Sequence, residues 1–243
     1  MTAGQLQELG LFEYTLKRSR RRKTVAIKVQ QQSVTVYAPV GVAKQELESW
    51  LSSKSDWITV QINKQSQILD TRQYPLKDNR ILVFAQPMLL TYGTSSRCEW
   101  RQVKEQSQPT LQLNLSGRVK HQHAMYQSLL EEFLHEQLES YIEMRVHHYC
   151  IKMAEALPSS IRIHSYKRRW GSCNRRRELT FNLLLASAPR TIIDYVIVHE
   201  LAHLKYLNHS AAFWQRVSEF YPEYKQARKW LKEQGASLSW VCE

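Results

Sequence analysis

Asp194-Tyr195-Val196-Ile197-Val198-His199-Glu200-Leu201-Ala202-His203-Leu204 is the stretch on which the reading of this chain turns. Neither Pro nor Gly interrupts it, and its apolar residues occupy nearly every face, so it reads as a buried helix with the polar motif near its middle. His199 and His203 stand four residues apart on one face, about a turn from each other, so both imidazoles reach one metal ion. Glu200 lies beside that face, placed to take a proton from a metal-bound water rather than to bind the metal itself. Burying such a cluster among Val196, Ile197, Val198 and Leu201 is costly unless the groups bind or pair with something.

Toward the C-terminus comes Asn208-His209-Ser210. Asn tolerates the left-handed conformation that ends a helix, and Ser is a good N-cap for the next one. The chain can therefore turn back and deliver His209 as a third nitrogen. Three histidines with one open position make a catalytic zinc site, whereas structural sites are closed by four protein ligands. Nickel, cobalt or manganese would suit the same donors. The remaining histidines read as surface or packing residues, with His164 following a strand that could approach the site. The extra donor for a developing oxyanion has two candidates, Tyr206 three residues after His203 and Tyr195 four before His199.

Toward the N-terminus, Arg169-Trp170-Gly171-Ser172-Cys173 lies between two strand-like runs, Ile161-Arg162-Ile163 and Leu179 to Leu185. If those runs form a sheet beside the helix, this loop lies near the metal. Gly171 lets a backbone come close, and a strand edge there can pair with an extended peptide. Arg169, Gly171, Ser172 and Tyr206 are accordingly the candidate substrate-binding residues. Cys173 reads as a buried thiol rather than a ligand, because three histidines already suffice.

Further out, Ala124 to Leu157 carries apolar residues at helical spacing and stops before Pro158, which predicts one long helix. Thr24 to Val29 and Ser33 to Tyr37 read as a hairpin around Gln30-Gln31-Gln32. Lys44 to Leu69 reads as helix in two pieces, and Arg80 to Thr91 and Leu111 to Leu115 as short strands. The change in character near Arg118 divides the chain into a β-rich region over residues 1–117 and an α+β region over 118–243. Residues 116 to 123 then serve as the join.

Composition bounds the rest. The 243 residues carry 34 Lys+Arg against 22 Asp+Glu, a net charge of +12. No apolar run is long enough for a membrane span, and the first ten residues lack the basic and apolar regions of a signal peptide, so the expectation is a cytoplasmic protein without a membrane partner. Cys98, Cys150, Cys173 and Cys242 are widely separated and predict free thiols. Lys167, Arg168, Arg169, Arg175, Arg176 and Arg177 bracket the Trp170 loop, and Lys17 to Lys23 forms a second basic run. A peptide or a polyanionic substrate is expected, with nucleic acid as an alternative partner.

The motifs Arg169 to Cys173, Asp194 to Leu204 and Asn208-His209-Ser210 with Phe213-Trp214 together resemble the YgjP-like metallopeptidase family, a relative of the SprT-like and Wss-type zinc proteases. Arg18-Ser19 and Ala38-Pro39 match it more loosely. The resemblance implies a zincin-like domain in which a small sheet flanks the active-site helix. It also implies zinc ligands at His199, His203 and His209, with Glu200 as general base and acid. The ligand spacing equals that of metzincins, but Tyr206 stands where those enzymes keep a glycine, which predicts that the helix runs on before turning. The expected activity is zinc-dependent peptide hydrolysis. Two alternatives use the same residues: a metal-dependent phosphohydrolase or nucleotide pyrophosphatase, and a nucleic-acid-associated protein with a secondary metal site.

Overall fold

The computed structural model describes residues 5–9, 12–30, 33–70, 72–104 and 108–241. By compactness the chain divides into two units, 1–71 and 72–243. The first is a sheet followed by two helices. Strands β1 (Gln5–Leu9), β2 (Phe12–Ser19), β3 (Ala26–Gln30) and β4 (Ser33–Pro39) lie in the order β1-β2-β4-β3. Only the central β2/β4 pair is parallel. Alternation along β4 buries Val34, Val36 and Ala38 on one face, the period-two pattern of a half-buried strand. These residues pack with Leu47 and Leu51 of α1 (Lys44–Ser52) and Ile58 of α2 (Ser55–Asp70), so the expected two-piece helix is observed. Arg18 donates from its guanidinium to the carbonyls of Pro39, Val40 and Val42 at 3.2, 3.1 and 2.6 Å, pinning the turn that leaves β4. The hairpin's expected turn at Gln31-Gln32 lies outside the described residues.

In the second unit, a one-turn helix α3 (Pro75–Asp78) precedes β5 (Arg80–Val83), β6 (Gln86–Ser95), β7 (Glu99–Lys104) and β8 (Pro109–Ser116). Their order, β5-β6-β8-β7, with a parallel β6/β8 pair between antiparallel ones, repeats the topology of the first sheet. Helix α4 (Gln122–Lys152) packs on this sheet. A three-stranded sheet follows, built from β9 (Ser160–His164), β10 (Gly171–Cys173) and β11 (Glu178–Asn182) in the order β10-β11-β9. After a 3-10 turn at Leu183–Ser187 come α5 (Arg190–Ala202), α6 (Ala211–Phe220) and α7 (Tyr224–Gln234). The fold is thus α+β, with sheets leading and helices closing the chain.

The division differs from the expected boundary at 117/118. Leu111, Leu113 and Leu115 of β8 share one buried core with Leu130, Phe133 and Leu134 of α4 and with Ile197 of α5. Trp100 of β7 meets Phe133 edge-on, ring centres 5.1 Å apart. Residues 80–116 therefore belong with the helices that follow, because they cover the face of α4 opposite water. Two further expectations are corrected. The long helix ends at Lys152 rather than Leu157, and Gly171–Cys173 is a strand, not part of a loop.

Helix α5 is almost entirely buried, including Ile193, Val196, Ile197, Val198 and Leu201. Its β-branched residues have modest helix propensity, so packing on every side, not local preference, makes this segment helical. Asp194 fixes its register on α4: Arg145 donates Nε to Oδ1 at 2.9 Å and Nη2 to Oδ2 at 2.6 Å, and Tyr141 donates its hydroxyl to Oδ1 at 3.0 Å. Burial, and then the Asp194 carboxylate, hold the Tyr141 proton on well above the usual phenol range. Cys98, Cys150 and Cys173 are free thiols, and Cys242 lies outside the described residues. Among the described residues no helix is long and apolar enough to cross a membrane.

Candidate active site

Helix α5 ends at Ala202 and His203 is its C-cap, so the His-Glu-His motif sits at the end of the helix, not in its middle. The expected extension past Leu204 does not occur. Instead the amides of Lys205 and Tyr206 both donate to the Ala202 carbonyl, and the His203 ring donates from Nδ1 to the Tyr206 carbonyl at 2.9 Å. That ring bond stitches the turn and leaves Nε2 as the free lone pair of His203. Seven residues past His203, Ser210 caps α6, its hydroxyl accepting from the Phe213 amide. The chain between these two ends carries His209 back toward α5.

The result is convergence. His199, His203 and His209 each offer a ring nitrogen, and the three lie within 4.8 Å of one another. Nε2 of His209 is 3.1 Å from Nε2 of His199. Beneath them the fully buried Phe213 ring contacts all three imidazoles, with centroid distances of 4.9, 4.5 and 4.8 Å. Trp214 stacks on His209 at 5.6 Å, and Tyr224 stacks on Trp214 at 5.3 Å. Sequence reasoning quoted Phe213-Trp214 but did not assign them this platform. Their place three and four residues past the N-cap Ser210, on the first turn of α6, was the available signal.

Burial, then the neighbouring rings of His203 and His209, push the His199 pKa down to about 3; burial also lowers His203. Neutral imidazoles with converging lone pairs are the form in which histidine binds metal. The cluster has no cationic or carboxylate member, and the His199 Nδ1 atom is buried without a hydrogen-bond partner. These residues fit a divalent cation held by three nitrogens.

Glu200 is 5% exposed, and burial raises its carboxyl to about 8, with Arg169 pulling the other way. Gly171 explains how β10 comes so near. A Cβ at that position would lie 2.6 Å from Glu200 Oε1 and 2.9 Å from its Cδ, so only glycine lets this edge strand pass the carboxyl. Gly171 is thus beside the site as expected. Arg169 and Gly171, with Trp170, Tyr195, Val196, His199 and Glu200, line a cavity of about 370 Å³. Ser172 comes no nearer than the next position of β10, its hydroxyl 3.5 Å from that of Tyr166. Tyr206 joins the site through its carbonyl, as the His203 acceptor, rather than as the hydroxyl donor its spacing suggested. Tyr195 stands 5.9 Å from the His199 ring, and burial raises its phenol to about 12, so it keeps its proton. Cys173 is outside the ligand cluster, its thiol raised to about 11 by burial and the nearby Glu200, and His164 packs on Tyr166 instead. The far wall of the cavity is α7, which brings Arg228, Leu231 and Lys232. Sequence reasoning missed these. Their i, i+3, i+4 spacing on one helical face was the legible clue.

Three converging imidazoles beside the buried Glu200 carboxyl, on an α+β frame, define a metal-dependent hydrolase. More narrowly, the chain belongs to the YgjP-like metallopeptidase domain family, whose model matches residues 23–234. It is 33% identical over 67 residues to the UTP pyrophosphatase of Escherichia coli (strain K12), a match covering 26% of this chain and 40% of that protein. The chain thus aligns with less than half the length of that curated relative. It is also similar to the metallopeptidase zymogen of Pyrococcus abyssi abylysin, at 26% identity over 38% of this chain and 95% of the other, with a TM-score of 0.35.

Proposed function

We infer that this chain is a zinc metallopeptidase in which His199, His203 and His209 hold the metal and Glu200 is the general base and acid. The convergence of the three ring nitrogens within 4.8 Å, with Glu200 adjacent on the same helix, carries the reading. Zinc is the natural occupant of a set of three imidazoles, and when bound it acidifies water and polarises a carbonyl. The chain's own residues supply the rest. Glu200, clamped between α5 and the Gly171 backbone, takes the proton of the attacking water and delivers it to the leaving nitrogen. The edge position of β10 in its sheet offers backbone groups to an extended substrate, which aligns the scissile bond along the strand. Phe213 and Trp214 hold the imidazoles in place.

The test is cleavage of an unfolded protein such as reduced casein by the zinc-loaded chain. Glu200→Gln should lower the rate by at least about a hundredfold while still binding zinc, in keeping with the usual size of general acid–base contributions. Cleavage at the parent rate would remove Glu200 from the mechanism.

A second reading, hydrolysis of a nucleoside triphosphate, is favoured by the cations Arg169 and Arg228 at the site and by the activity named for the Escherichia coli relative. Pyrophosphate released from UTP by the parent and not by Glu200→Gln, with casein left intact, would transfer the assignment to it.

A further inference from the structure

The cavity beside Glu200 has an unusual wall. Its body is apolar, made by Trp170, Tyr195, Val196 and Leu231, while Arg169, Arg228 and Lys232 are exposed around it. Among the described residues none of these three cations has an ion-pair partner. Two of them are held in place by aromatic rings. The Arg169 guanidinium lies 5.1 Å from the Tyr166 ring centre, and that of Arg228 lies 5.1 Å from the ring centre of Trp214, the same tryptophan that stacks on His209. The only acid on the wall among the described residues is Glu200, which the reaction already uses. Cations without ion-pair partners, two of them resting on aromatic rings, around an apolar cavity that His199 and Glu200 also line form a receptor for a short apolar stem that ends in an anion.

We propose that this cavity selects a carboxylate side chain, glutamate above all, at a position flanking the peptide bond that is cut. The stem of glutamate lies against Leu231 and Tyr195, and its carboxylate meets Arg228 and Lys232 at the rim. The proposal rests on the peptidase reading and names its substrate class.

The experiment uses the zinc-loaded full chain and a set of quenched-fluorescence peptides of one frame, with Glu, Gln or Lys at each position near the cut. At one position the Glu peptide should exceed the Gln peptide by about tenfold in kcat/KM, the worth of two or three partly exposed ion pairs. In Arg228→Gln/Lys232→Gln that preference should vanish. In Arg228→Glu/Lys232→Glu it should invert toward Lys, a gain that misfolding cannot mimic. Equal rates for Glu and Gln at every position, or a preference unchanged in both variants, would overturn the proposal.

A separate arm measures binding of fluorescein-labelled Glu and Gln peptides to zinc-loaded Glu200→Gln by anisotropy. If the parent cleaves no peptide yet Glu is still bound about tenfold more tightly through Arg228 and Lys232, the pocket assignment stands and the peptidase reading alone fails. Binding of UTP that depends on those two residues, with peptides indifferent to them, would overturn the carboxylate assignment.

Discussion

Gly171 is the residue at which sequence, packing and chemistry meet. It lies on β10, where a side chain would ordinarily stabilise the strand, and its missing methyl is the space that Glu200 Oε1 occupies. Gly171→Ala should therefore displace the carboxyl, since the added Cβ overlaps the Glu200 side chain and no backbone atom. A shift of that size is expected to lower kcat by about a hundredfold with little change in the far-ultraviolet circular dichroism or in zinc affinity. Unaltered kcat would mean that Glu200 does not need its present position. The histidines were legible in the sequence because metal ligation demands particular atoms at particular spacings. Tyr206 was legible as a neighbour of the site, yet its contribution was misassigned. The role falls to its carbonyl, an atom that every residue carries and no side-chain motif can signal.

At the scale of elements, α5 is a helix without intrinsic enthusiasm for being one, and its position depends on anchors. The Arg145–Asp194 pair ties it to α4 with side chains only 24% and 13% exposed. Asp194→Ala would strand a largely buried guanidinium and the Tyr141 hydroxyl. A loss of about 2–3 kcal/mol is expected, read as a lower denaturation midpoint with an unchanged slope. Stability equal to the parent would show that packing alone sets the register. Elements with long periodic patterns were readable: α4 and the two-piece helix over residues 44–69. The misses are short. β7 (Glu99–Lys104) is mostly polar and β10 is Gly171-Ser172-Cys173, so neither shows a hydrophobic period, and β10 exists because β11 pairs with it. Likewise α5 was expected to run past Leu204, and it stops because the His203 ring, rather than an amide, satisfies the Tyr206 carbonyl.

For the whole molecule, the boundary at 71/72 makes a claim that composition did not suggest. The shift near Arg118 is a change from strands to helices inside one core, not a change of domain, because Leu111, Leu113 and Leu115 pack with Phe133. A fragment of residues 72–243 should melt cooperatively and bind zinc, whereas a fragment of 118–243 should not. Removing β8 uncovers several fully buried leucine contacts, each worth about 1.5–3 kcal/mol. Cooperative melting and zinc binding by the shorter fragment would refute this division. The two four-stranded sheets share one strand order, and the sequence hid the repeat because their residues differ while their pairing does not.

The direct measurement is a zinc titration of the metal-stripped chain by calorimetry, set beside the same titration of His209→Ala. His209 is the one imidazole contributed from beyond α5 and its C-cap, so it alone depends on the chain turning back as described. The parent should bind one equivalent of zinc, and the variant should bind at least about a hundredfold more weakly, as expected when one of three protein ligands is removed. Equal affinity in both would mean that no metal is held where the three rings meet, and the hydrolase reading would lose its centre.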